Sequence, residues 1–154
     1  MSVAIREATI ADAPALGAVQ MAALLSGYAE FLESTAALPG VAERVSWWRA
    51  ELGDPGARVW MAEHDGNASG LVSIGPAELR WLCVMPERWG AGIGTALLAT
   101  AETELPPGAT LEVPEGNVRA RRLFERRGWS QGEELGQREG RVAPEVRYRR
   151  GGAA

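Results

Sequence analysis

The sequence contains no lysine; all sixteen of its basic residues are arginine. That excludes a lysine nucleophile, a Schiff base and the lysine that a P-loop sets against phosphates. Together with the abundance of alanine and glycine, it reads as a GC-rich coding bias rather than a functional signal. A single cysteine, Cys83, excludes an internal disulfide. One cysteine and one histidine, His64, cannot assemble the usual zinc centres, and no loop has the carboxylate spacing of a hard-cation site, so no metal is expected. No apolar run approaches the roughly 20 residues that cross a bilayer. The opening segment MSVAIREATI lacks a basic region leading into an apolar stretch, so no signal peptide or membrane partner is expected and the location is expected to be cytoplasmic. A net charge of −4 argues against a nucleic-acid partner and leans toward a cationic one.

What is present fits one globular domain over residues 1–154: 46% hydrophobic and 23% charged residues, with no internal repeat and no linker. Val3–Thr9 alternates as a strand. Thr9 and Asp12 resemble a helix-capping pair, and Leu16, Val19, Leu24 and Leu25 give an apolar helical face from about Asp12 to Tyr28. Pro39-Gly40 breaks the chain before a second helix, Val41–Leu52. Asp65-Gly66 between two strand-like runs signals a hairpin. A strand at Ala77–Met85 runs through a glycine stretch into a helix ending near Leu105. A short strand at Ala109–Val113 follows. A helix capped by Asn117 and stopped by Gly128 comes next, then two last strands. The order is β-α-α-β-β-β-α-β-α-β-β. It predicts an α/β fold, with a mixed, mostly antiparallel twisted sheet and helices on both faces.

The glycine stretch WGAGIG, Trp89–Gly94, sits where a strand becomes a helix. A helix start exposes unpaired N–H groups and a partial positive charge, and glycines let those amides approach an anion closely. The stretch lacks the lysine of a P-loop, and its glycines are misplaced for a dinucleotide fingerprint. A tight strand–helix connection with no ligand is the plain alternative.

A second segment, NVRARRLFERRGW, Asn117–Trp129, follows the next strand. In these two segments the sequence resembles the GNAT family of N-acetyltransferases. That family pairs a [Q/R]-x-x-G-x-[G/A] turn after its fourth strand with an N-x-x-A helix after its fifth. LCVMPE before the turn and REATIADAPAL near the N-terminus are also similar to the family, so the resemblance covers nearly the whole chain.

The resemblance implies an acetyl-CoA-dependent N-acetyltransferase in which an amine attacks the thioester directly, without a covalent enzyme intermediate. It implies acetyl-CoA between the fourth and fifth strands, with its pyrophosphate on Trp89, Gly90, Ala91, Gly92, Ile93, Gly94 and Thr95. The pantetheine arm would run along Leu82, Cys83 and Val84, one of whose amides would polarise the thioester carbonyl. Asn117 would face the cofactor or act as a plain helix cap. Trp89 stands where the family often has glutamine or arginine. Phe124 stands where many members carry a tyrosine that protonates the leaving thiolate, and it would pack near the sulfur instead.

The base is expected to be Glu78, which opens the fourth strand where several members carry a catalytic glutamate. Glu112 is the second candidate, and an exposed carboxylate paired with Arg80 is the plain alternative for Glu78. Strict alternation puts Glu78, Arg80, Leu82 and Val84 on one face of that strand and Leu79, Trp81, Cys83 and Met85 on the other. Arg88, Arg119 and Arg122 are candidates for phosphate contacts. Trp47 and Trp48 are candidates for an acceptor-pocket wall and for the core. His64 is expected to be exposed near its hairpin turn, and Cys83 to pack. The acceptor is an unspecified amine, and a homodimer is possible. A module that binds acyl-CoA without turnover is the rival reading, since Phe124 has no hydroxyl.

Overall fold

The computed structural model describes residues 3–28, 40–141 and 143–151. Its elements are β1 (Val3–Glu7), α1 (Ala13–Tyr28), α2 (Val41–Gly53), β2 (Arg58–His64), β3 (Asn67–Ile74), β4 (Leu79–Val84), α3 (Ile93–Glu102), β5 (Thr110–Pro114), α4 (Val118–Arg126), β6 (Trp129–Gly136) and β7 (Glu145–Arg150). The order is the one predicted. One 3-10 turn, Ile10–Asp12, precedes α1; there the Asp12 carboxylate accepts a hydrogen bond from the Thr9 backbone N–H at 2.7 Å. Part of the predicted second half of the α1–α2 region, including Pro39, lies outside the described residues.

The strands form two antiparallel sheets, β1-β2-β3-β4 and β5-β7-β6. They meet at one place. Glu78, just before β4, makes a parallel bridge to Thr110 at the start of β5, and the Thr110 N–H donates to the Ala77 carbonyl at 3.1 Å. Beyond that apex β4 and β5 do not pair, so the edge of β4 that faces β5 has no partner strand; the Val84 carbonyl on it is taken by the Trp89 indole N–H.

Two apolar layers cover the sheets. On one face Leu97 and Leu98 of α3 and Phe124 of α4 pack with Val72, Leu79, Leu111, Val146 and Tyr148. On the other, Leu16 and Val19 of α1 and Trp48 of α2 pack with Val59, Met61, Leu71 and Cys83. Full burial of side chains this size is worth roughly 1.5–3 kcal/mol each. The stretch Ile10–Gly27 has a mean hydropathy of 1.3, enough by composition and length to cross a bilayer. In this fold its Ala13, Leu16 and Val19 are core residues.

Two expectations need correction. Strict alternation in β4 fails, because Ser73 pairs with Trp81 and Ile74 with Leu79, leaving Arg80 as a bulge. Leu79 therefore shares the α3 face with Leu82 and Val84, while Trp81, Cys83 and Met85 face α1 and α2. His64 is buried rather than exposed. The hairpin turn is only Asp65-Gly66, both with positive φ (51° and 79°), so pairing continues to the turn and His64 lies between Val3 and Asn67.

Candidate active site

A cleft of about 480 Å³ opens where β4 and β5 part. The bulge and the single bridge explain it. An extra residue twists β4 away from the second sheet just past the apex, and the space between the strands is not refilled by a paired backbone. The walls come from β4, the glycine turn, the start of α3, β5 and α4 on one side of the sheet plane, and from α1 and the β6–β7 connection on the other.

The half of the cleft around the end of β4, the glycine turn and α4 contains most of the residues singled out by sequence. Leu82, Cys83, Val84, Trp89, Gly90, Gly92, Ile93, Gly94, Thr95, Asn117 and Phe124 all line the cleft. Gly90 and Gly92 have φ of 84° and 85°, a conformation that residues with a Cβ rarely adopt. Gly92 is the N-cap of α3, and the first amide of the helix to find an intrahelical acceptor is that of Ala96, which donates to the Gly92 carbonyl at 3.0 Å. The amides of Gly92, Ile93, Gly94 and Thr95 are thus the orphan donors of the helix start. Ala91 differs: it is not in the lining, and its N–H donates to the Arg88 carbonyl at 3.3 Å.

Trp89 has a definite job. Its indole N–H donates to the Val84 carbonyl at 2.9 Å, and the Arg119 guanidinium lies 4.2 Å above its ring. The indole ties the end of β4 to the turn, and the stacked arginine ties the turn to the first turn of α4. Arg88, Arg119 and Arg126 line the cleft; Arg122 does not. Asn117 caps α4 by accepting from the Ala120 N–H at 3.2 Å, and it lines the cleft as well.

Phe124 is buried, with ring centroids 6.2 Å from both Trp129 and Tyr148. Tyr148 does not replace the missing hydroxyl. Its O–H donates to Glu125 at 2.6 Å and accepts from Arg121 at 3.0 Å, outside the cleft lining. Cys83 is buried, which pushes its thiol up to about 12 and leaves no thiolate for an acyl-enzyme at neutral pH.

The other half of the cleft faces α1. Ala23, Leu24 and Gly27 form one side, Arg80 and Trp81 of β4 a second, and Glu112, Arg141 and Glu145 the third. Trp48 is fully buried, its indole N–H donating to Gln20 at 3.1 Å. Trp47 is outside the lining; it stands 42% exposed and edge-on to Trp81 at 6.1 Å. Trp81, rather than Trp47 or Trp48, lines this half of the cleft.

Glu78 sits at the apex of the opening but not in the cleft lining. Its Oε1 accepts from Arg80 Nε at 3.0 Å, and Arg80 also bonds the buried carboxylate of Glu51 on α2 at 2.8 Å. Glu112 is in the lining and is held by Arg138, Arg141 and Arg147. Burial raises its carboxyl, but the hydrogen bonds from Arg138 and Arg147 outweigh that and leave it below the usual carboxylate range. Among the described residues, no group of three or more His, Cys, Asp or Glu side chains is arranged to hold a metal ion.

The family model for the acetyltransferase (GNAT) family matches residues 21–129. The chain belongs to that family. A curated relative, the mycothiol acetyltransferase of Nocardia farcinica (strain IFM 10152), is 40% identical over 78 residues, 47% of this chain and 26% of that protein. The chain thus spans about a quarter of the length of that relative. Among solved structures, the fold is similar to the PaiA N-acetyltransferase of Thermoplasma acidophilum in complex with coenzyme A. The TM-score is 0.81 at 19% identity, covering 98% of this chain and 99% of that one. It is also similar to apo YjaB of Escherichia coli, with a TM-score of 0.74 at 21% identity, covering 99% and 100%. At these identities the structures speak for the fold, which is that of a GNAT acyltransferase.

Sequence reasoning missed Trp81, Arg141 and Glu145 as cleft residues. For Trp81 the signal was hidden by the bulge, which one strand's alternation does not reveal. For Arg141 and Glu145 there was none: they reach the cleft because β7 lies between β5 and β6, a pairing of distant segments.

Proposed function

We propose that this GNAT domain transfers the acetyl group of acetyl-CoA to a primary amine by direct attack within a ternary complex. The observation that carries the reading is the row of orphan amides at Gly92–Thr95, set beside the unpaired edge of β4 where β5 turns away. Those amides, with Gly90 holding the turn, suit a pyrophosphate. The edge of β4 at Leu82–Val84, unpaired except for the Val84 carbonyl that Trp89 holds, suits the amides of a pantetheine arm, which would lie there as a short extra strand. A β4 N–H aimed at the thioester oxygen would stabilise the charge that develops on it.

In the step itself the amine lone pair attacks the thioester carbonyl carbon, the C–S bond breaks, and coenzyme A leaves as its thiolate. The amine must first lose its ammonium proton. We assign that proton to Glu78, acting through water from the apex, because Oε1 alone is engaged by Arg80 and Oε2 has no partner among the described residues. Glu112 is the second carboxylate within reach, but its arginine partners favour its charged form and make it a weak base. The leaving thiolate takes its proton from water: Thr95 is the one hydroxyl in the described lining, and it belongs to the phosphate end.

The reading is tested by following thiol release from acetyl-CoA against a panel of primary amines, with Glu78→Gln in parallel. Amine-dependent release, falling roughly a hundredfold or more in Glu78→Gln and recovering in part at higher pH, is expected. The burial of Phe124 where a hydroxyl is usual favours a second reading, an acyl-CoA-binding module without turnover. Tight coenzyme A binding with no release for any amine, and no difference in Glu78→Gln, would establish it.

A further inference from the structure

Two ion-pair networks flank the half of the cleft that faces α1. On the β4 arm one guanidinium, Arg80, meets three carboxylates, Glu51 at 2.8 Å, Glu78 at 3.0 Å and Asp54 at 3.6 Å, and of these four Arg80 lines the cleft. On the opposite arm Arg138, Arg141, Arg147 and Arg149 pair with Glu112, Glu133 and Glu145 among the described residues.

Arg141 is the least closely engaged of the four. Arg138 takes the close contacts of Glu112 and Glu145, and Arg147 is fixed by Glu112 and Glu133. Arg149 is engaged by Glu133 and is not in the cleft wall. Arg141 makes only the long pairs, 3.4 Å to Glu112 and 3.5 Å to Glu145. Its Nη1 has no partner among the described residues, its side chain is half exposed, and it lines the cleft. A guanidinium in the cleft wall with one nitrogen unpaired is suited to pair a ligand carboxylate.

We infer that the acceptor is a zwitterionic amine, a free amino acid or a close analogue. Its ammonium is drawn to the β4 arm near Glu78, its carboxylate rests on Arg141, and its side chain lies against Trp81, Leu24 and Gly27. The inference rests on the acetyltransferase reading, because it uses the same cleft, but it adds a demand that reading does not make. A pocket for polyamines or other cations gains nothing from a wall guanidinium with one nitrogen left unpaired.

The test compares three forms of one molecule at matched side chain: leucine, leucinamide and isopentylamine, followed by the full set of free amino acids. Acetyl-CoA binding is measured by calorimetry on the same protein. The expected result is a kcat/KM at least about tenfold higher for the best amino acid than for its amide or its decarboxylated amine, carried mainly by KM. In Arg141→Gln that preference collapses toward one, and Arg141→Lys restores part of it. Equal use of the three forms, a preference that survives Arg141→Gln, or turnover restricted to amines without a carboxylate overturns the inference while the acetyltransferase reading stands. Coenzyme A binding with no acceptor of any class overturns it too. Failure to bind coenzyme A overturns the reading beneath it.

Discussion

Glu78 and Arg80, two residues apart across the bulge of β4, form an ion pair at 3.0 Å in space that Gly75 leaves open. A Cβ added at Gly75 would lie 2.2 Å from Glu78 Oε1 and 2.7 Å from Arg80 Nη2. Both atoms are the ends of flexible side chains, so they can swing away and the backbone need not move. Gly75→Ala displaces the pair and, because Arg80 also holds the buried Glu51 carboxylate, is expected to cost about 1–3 kcal/mol of stability while amine-dependent turnover falls. Thermal denaturation and steady-state kinetics on one preparation check both halves.

Trp89 replaces a polar side chain with a bracket. Trp89→Phe keeps the aromatic face under Arg119 but removes the N–H that bonds the Val84 carbonyl at 2.9 Å. A lost hydrogen bond of this kind is worth about 1 kcal/mol, so the KM for acetyl-CoA should rise several-fold, more than kcat falls. An equal fall in kcat with unchanged KM would mean that the bracket acts on the chemical step instead.

Glu102 joins α3 to the elements beyond it. Its buried carboxylate accepts from Arg127 at 2.5 and 3.1 Å and from the Trp129 indole N–H at 2.8 Å. Glu102→Ala leaves that indole donor, itself buried, without its acceptor, and should cost about 1–3 kcal/mol in urea denaturation. Glu102→Gln, which keeps one acceptor oxygen, should cost less.

Asp12 gives the fold a pH dependence of known sign. Its hydrogen bond from Arg6, helped by one from the Thr9 N–H, lowers its carboxyl from 3.8 to about 2, against the opposing effect of burial. A depressed folded value means that the contribution is fully present above about pH 4 and is lost as pH falls through about 2. Urea midpoints measured from pH 6 down to pH 2 should fall more steeply for the wild type than for Arg6→Gln. Parallel curves would show that the pair adds nothing to stability.

Much of this was legible in the sequence because the decisive signals are local. Gly90 and Gly92 announce a left-handed turn, Asn117 announces a helix start, and Asp65-Gly66 announces a hairpin, each through the backbone geometry it permits. The two segments that flank the cleft lie on either side of one strand, so a family resemblance named residues that the fold brings to the cleft wall. The half that faces α1 was not legible in the same way. Arg80 became a bulge through its ties to Glu51 and Glu78 and the register of β3, which strand periodicity does not contain. Arg141 and Glu145 reached the cleft through the β5-β7-β6 order. His64 was misread because a turn signal beside a residue says nothing about how close to the turn pairing continues.

The most direct test of the acyl-CoA cleft is a titration of the 15N-labelled protein with coenzyme A, followed amide by amide. Pyrophosphate held by the start of α3 predicts saturable shifts that are largest at the N–H groups of Gly92, Ile93, Gly94 and Thr95, smaller at Ala91, whose N–H is already committed to Arg88, and abolished by Gly92→Val. Saturable binding that leaves those four amides unmoved, or no binding at millimolar coenzyme A, would contradict it.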